Sequence, residues 1–147
     1  MSHAAARPAA LLLAALASGC GGGGFALEVG DCVRTPEGGA TDPAGMAEVT
    51  IVDCDEPHEL EVFHVFELAP DQLTGDALVE AVREECLGDA FTDQVGVPED
   101  RSPLEVLPIP PTAEQVASGD REVVCTLQQP GGGTTTGSLR AGTDGST

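Results

Sequence analysis

From Glu48 to Leu68 the chain reads EVTIVDCDEPHELEVFHVFEL, two alternating runs parted by an acidic turn. In the first run Val49, Ile51 and Asp53 face one way, and Thr50, Val52 and Cys54 the other. Val, Ile and Thr suit a pleated, half-buried surface. Asp55-Glu56-Pro57 ends the run, because proline has no N–H for a ladder and pushes its predecessor away from helix. From His58 the period of two resumes. Leu60, Val62, His64, Phe66 and Leu68 form the expected core face. Glu59, Glu61, Phe63, Val65 and Glu67 form the partly wet face. The spacing predicts one antiparallel sheet containing both runs, with the two as candidates for direct neighbours.

The rest of the chain supplies what such a sheet needs. FALEVGDCVR at 25–34 reads as a first strand, and 35–45 as a Gly-, Pro- and Asp-rich loop. Residues 76–95 carry the main helix. Leu78, Val82, Cys86 and Ala90 step by four, and Leu87, Phe91 and Val95 widen the stripe. Asp76 is its expected N-cap, with Thr74 as competitor. Gly96 and Pro98 close it. Residues 99–102 form a turn. Pro108, Pro110 and Pro111 confine 104–111 to an edge strand or a polyproline-like run. Thr112-Ala113-Glu114-Gln115 resembles a capping box opening a short helix, closed by Gly119. REVVCTLQQ at 121–129 is another strand, 130–133 a turn, and 134–140 a candidate last strand. The expected fold is α+β: a small antiparallel sheet of five or six strands, one main helix on a face, a short second helix and two disulfides.

The ends of the chain read differently. A short apolar run, AALLLAALA at 9–17, follows Arg7 and is too short to span a bilayer; it has the size of a signal-peptide core. Leu16-Ala17-Ser18-Gly19-Cys20 then resembles a bacterial lipobox, which would place a diacylglycerol on Cys20. The competing reading is an ordinary secretory signal that leaves Cys20 a lone thiol. Five cysteines divide naturally into one for lipid and four for pairing. Lipidation with more than one acyl chain gives a stable anchor. Gly21–Gly24 form a tether. The division is thus signal peptide 1–19, lipidated cysteine and tether 20–25, folded domain 26–140 and disordered tail 141–147.

In an exported chain the remaining cysteines, Cys32, Cys54, Cys86 and Cys125, are expected as disulfides. Cys32 and Cys54 end two consecutive strands, so they pair. Cys86 faces inward on the helix, and the strand of Cys125 lies beneath a helix, so they pair too. The four aromatics are all Phe. A core of Val, Leu, Ile and Ala buries less area per residue, which raises the value of each crosslink, about 3 kcal/mol.

Charge and motifs exclude several functions. The chain has 25 acids against six arginines and no lysine. With Arg7 in the leader, the mature charge is 5 − 25 = −20. A nucleic-acid partner is excluded, since phosphate binding needs a basic footprint. Cys54 and His58, flanked by Asp53 and Glu59, could form half a zinc site, but no second Cys/His pair follows and a disulfide removes Cys54. His64 reads as a satisfied core or edge histidine. Ser18, Ser102, Ser118, Ser138 and Ser146 lack a nucleophile context. The glycine runs do not link a strand to a helix as phosphate loops do. Asp53/Asp55 and Glu84/Glu85 lack a calcium-loop pattern. No catalytic residue, cofactor or metal site is expected, and the chain is not read as an enzyme.

The assembled pattern resembles the septum-formation-related domain of actinobacterial envelope proteins. VGDCV at 29–33, VDCDEPHELEVF at 52–63, the Cys86 helix, PTAEQVASGDREVVCTL at 111–127 and TGSLR at 136–140 carry it, over about 29–140. The four cysteines match the family's positions. Val116, Leu107 and Ile109 stand where the family commonly has aromatics. The resemblance implies a domain outside the cytoplasm, attached to the membrane, with a role near the septum. The expected function is a lipid-anchored interaction domain on the extracytoplasmic face of the plasma membrane, bound to an unidentified envelope protein. The alternative is an envelope lipoprotein that binds a small ligand or a divalent cation.

Overall fold

The computed structural model describes residues 26–36 and 49–140. The signal peptide, Cys20, the glycine tether, most of the 35–45 loop and the tail lie outside the described residues. Five strands form one antiparallel sheet: β1 (Cys32–Arg34), β2 (Thr50–Val52), β3 (Leu60–Glu67), β4 (Glu105–Ile109) and β5 (Glu122–Gln128), in the order β2-β1-β3-β5-β4. The two runs of the central stretch are therefore not direct neighbours. β1 lies between them, pairing Val33 with Ile51 on one side and with Leu60 on the other. The first strand is also shorter than its sequence suggests. Glu28–Asp31 closes a turn, with the Asp31 N–H donating to the Glu28 carbonyl at 3.0 Å and Gly30 at φ 102°. Gly30 serves that turn because a side chain rarely tolerates such a φ.

Both faces of the sheet carry buried apolar residues, and β3 contributes to each. Phe63, Leu68, Val123, Cys125 and Leu127 pack on one face against Ala81, Cys86 and Phe91 of the helices. Leu60, Val62, Val33 and Val124 pack on the other, with Leu27 and Val49 from the segments that precede β1 and β2. A bulge between Val62 and His64 shifts the register against β5. Phe63 and His64 consequently both face the helices, and the fixed period of two fails there. Glu61, assigned to the wet face, precedes the bulge on the helix side and is fully buried.

The main helix is two helices. α1 (Gly75–Leu87) and α2 (Asp89–Val95) meet at Gly88, whose φ −88° and ψ −138° break the helical path. A Cβ at Gly88 would sit 2.3 Å from the Glu84 carbonyl oxygen, so only glycine fits this joint. Thr74, not Asp76, occupies the N-cap of α1, and its side chain makes no capping bond. The bend turns Phe91 into the core, where its ring meets Phe63 edge-on at 5.8 Å and 87°. That geometry suits the ring quadrupoles. Gly96 ends α2 in the left-handed region at φ 89°.

Beyond one 3-10 turn at Glu99–Arg101, β4 lies at the sheet edge, where Pro108 can be tolerated. α3 (Ala113–Ala117) opens on the anticipated capping box, with Thr112 and Gln115 each bonding the other's backbone N–H. Cys32 pairs with Cys54 across β1 and the end of β2, and Cys86 with Cys125 from α1 to β5. Residues 134–140 are not a sixth strand. They form one isolated bridge, between Thr135 and His58, just ahead of β3.

Candidate functional site

The chemistry-bearing residues gather at one end of the sheet, where the Cys32–Cys54 disulfide, the acidic turn and segment 134–140 meet. The turn is built locally. The Glu56 N–H donates to the Asp53 carbonyl at 2.8 Å, and the Glu56 side chain accepts from the Asp53 N–H at 3.3 Å. Pro57 then redirects the chain into β3, its carbonyl accepting from Arg34 Nε at 3.1 Å. His58 follows and is fully buried. Its Nδ1 lies 2.8 Å from the Glu56 carbonyl oxygen. A carbonyl can only accept, so Nδ1 carries a proton and donates it to this bond. The ring's Nε2 has no hydrogen-bond partner among the described residues.

Glu61 is the centre of the second layer. Its Oε1 accepts from Ser138 Oγ at 2.7 Å and from Arg140 Nε at 2.9 Å, and its Oε2 accepts from the Leu139 N–H. Arg140 Nη1 continues to Gln94 Oε1 on α2 at 3.0 Å. A buried carboxylate needs this degree of satisfaction, since an unpaired buried charge costs several kcal/mol. Glu59, one residue before β3, accepts from the Thr35 N–H at 2.8 Å and from Thr134 Oγ1 at 3.2 Å. Outside this layer lies a shallow open cleft of about 430 Å³, lined by Gly30, Asp31, the disulfide, Ile51, Asp53 and Glu56.

These positions settle several sequence candidates. Cys54 and His58 do not form half a zinc site, because Cys54 is bonded to Cys32. The donors that do converge, Cys32 Sγ, Cys54 Sγ and a Glu61 oxygen within 4.8 Å of one another, offer no thiolate while the disulfide is intact, and Glu61 is already engaged by Arg140. His64 sits on the helix side, its Nε2 3.0 Å from Glu85 Oε2 and its ring stacked near Phe66. Glu85, half of the Glu84/Glu85 pair, is thus a partner for His64. Ser138 is a donor to Glu61 and accepts from the Arg140 N–H at 3.1 Å. Among the described residues no helix is long and apolar enough to cross a membrane.

The sequence pointed to the turn and the disulfides but not to the Glu61–Arg140–Gln94 network. The only signal was Arg140 itself, one of few cations in a strongly acidic chain. The chain matches the septum formation family over residues 29–144, an interval that contains every residue of this site. It belongs to that family. No curated protein and no solved structure matches the chain. In this septum formation domain the matched interval opens at the Glu28–Asp31 turn and runs through Arg140, so it contains both disulfides and the whole 134–140 segment.

Proposed function

We propose that this septum formation domain is anchored by lipid at Cys20 on the extracytoplasmic face of the plasma membrane. There it acts, without catalysis, as an interaction domain for an envelope protein in septum formation. The observation that carries the reading is the family match over 29–144, set immediately after a lipobox-like cysteine and its glycine tether. Two disulfides in a domain with few aromatics suit an oxidising compartment. The polar cluster supports a binding role over catalysis. Its buried carboxylate is fully engaged, its cysteines are oxidised, and the titratable groups of the cleft rim are carboxylates without a paired base.

The test has two arms. Intact mass of the protein from the membrane fraction should carry a diacylglyceryl group on Cys20 and both disulfides. Depletion should alter septum spacing and cell length. An unmodified N-terminus in the soluble fraction would refute the anchor, and unchanged septa and cell length on depletion would refute the division role.

A further inference from the structure

Segment 134–140 is held as a bound peptide is held. It leaves β5 through Gly131 and Gly132, both at positive φ, and turns again at Gly137. Its backbone is read by backbone: the His58 N–H donates to the Thr135 carbonyl at 2.9 Å, Thr135 returns the bond at 2.8 Å, and the Gly137 N–H donates to the Cys54 carbonyl at 2.6 Å. Its side chains meet two carboxylates: Glu59 takes the Thr134 hydroxyl, and Glu61 takes the Ser138 hydroxyl and the Arg140 guanidinium. Gln94 fixes the far side of that guanidinium. Backbone bonds to the turn plus a buried carboxylate that takes a guanidinium are contacts that an arginine-bearing peptide could also make.

The apolar hold on the segment is small. Leu139 is its one side chain packed on the helix-side core, while Thr134 and Thr136 are exposed. Such polar, glycine-hinged segments belong to the low-stability end of a fold. With the segment in place Glu61 is fully buried, and opening strips it of its Ser138, Leu139 and Arg140 donors. Opening therefore favours replacement by another cation over a bare groove. A formal charge of −19 steers positive partners toward it.

We infer that the groove formed by Cys54, His58, Glu59, Glu61 and Gln94 is a receptor for an extended, arginine-bearing segment of a basic partner, and that Thr134–Arg140 is its built-in competitor. The inference rests on the interaction-domain reading and names the partner's chemistry. A ligand that displaces the strap must offer Glu61 a cation in place of Arg140.

The probe is a fluorescent peptide of residues 134–140, TTTGSLR, amidated at its C-terminus, titrated into the mature chain by anisotropy. Arg140→Ala weakens the competitor, so this chain should bind the peptide roughly tenfold or more tightly than the parent does. A peptide with alanine for arginine should not bind, and Glu61→Gln should erase the difference between the two peptides. A folded Arg140→Ala chain that ignores the peptide, or binds both peptides equally, overturns the inference. If Arg140→Ala does not fold, hydrogen exchange in the parent decides. The Thr135, Gly137 and Leu139 amides should exchange roughly a hundredfold faster than those of Val62 and Val124, and exchange only through global unfolding overturns the inference. Strap exchange between copies, seen as a concentration-dependent dimer of the parent, would overturn the assignment to a foreign partner. None of these failures touches septal location or lipidation, which are read separately.

Discussion

Replacing Cys86 and Cys125 together by alanine removes the link between α1 and β5. The two cysteines are 39 residues apart, and both are fully buried beside Phe63 and Phe91. In the chain-entropy account a loop of that length is worth about 4 kcal/mol. The two lost sulfurs leave a void in a close-packed cluster, for roughly 1–2 kcal/mol more. The sum of about 5–6 kcal/mol is comparable to the whole stability of a small domain. At about 4 °C per kcal/mol it lowers Tm by ~20 °C. The Cys32–Cys54 pair spans 22 residues and joins neighbouring strands already in register, so its removal costs about 3.4 kcal/mol by the same account. Urea unfolding of the parent and the two double variants, followed by circular dichroism, reads both values. The m-value should rise in each variant as the unfolded chain expands. A Cys86→Ala/Cys125→Ala chain within 1 kcal/mol of the parent would refute the claim that covalent staples stand in for a sparse aromatic core.

Other expectations follow from single positions. Gly88→Ala drives a Cβ into the Glu84 carbonyl and displaces the joint that aims Cys86 and Phe91; it should cost about 2–3 kcal/mol in urea unfolding. Thr112→Ala removes one half of the capping box and should cost about 1 kcal/mol, with fraying confined to α3 by amide exchange. The Glu122 carboxyl is held above its ordinary 4.5 by partial desolvation and by the carboxylates of Asp120 and Glu67. The folded chain therefore binds this proton more tightly than the unfolded chain, and stability falls as pH rises from 4.5 through the folded value. Glu122→Gln should stabilise the protein above that window and lose its advantage below pH 4.5, measured as the difference in Tm across a pH series.

Several features were legible because one local rule decided each. Cys86 lies on a stripe stepping by four and Cys125 on an alternating strand, so helix-on-sheet packing brings them together. Cys32 opens β1 and Cys54 follows the end of β2, so the antiparallel pairing of these consecutive strands brings the two together. Thr112 and Gln115 carry their own capping chemistry. The features that escaped depend on tertiary exceptions to those rules. An apolar stripe runs through Gly88 unbroken, and nothing in its period reveals that the chain kinks there. The Val62–His64 bulge changes which residues of β3 share a face, so Glu61 looked wet and His64 looked like core. Burial of Glu61 depends on Ser138 and Arg140, more than seventy residues along the chain. No window of local sequence contains both.

The proposed function places this septum formation domain at the division site on a lipid anchor. The most direct measurement is the position of the protein in growing cells. A fluorescent tag that matures outside the cytoplasm would be fused after the domain, with Cys20→Ala as the control. The account predicts enrichment at the septum that is lost when Cys20 is replaced. A uniform envelope signal, or septal enrichment indifferent to Cys20, would contradict it.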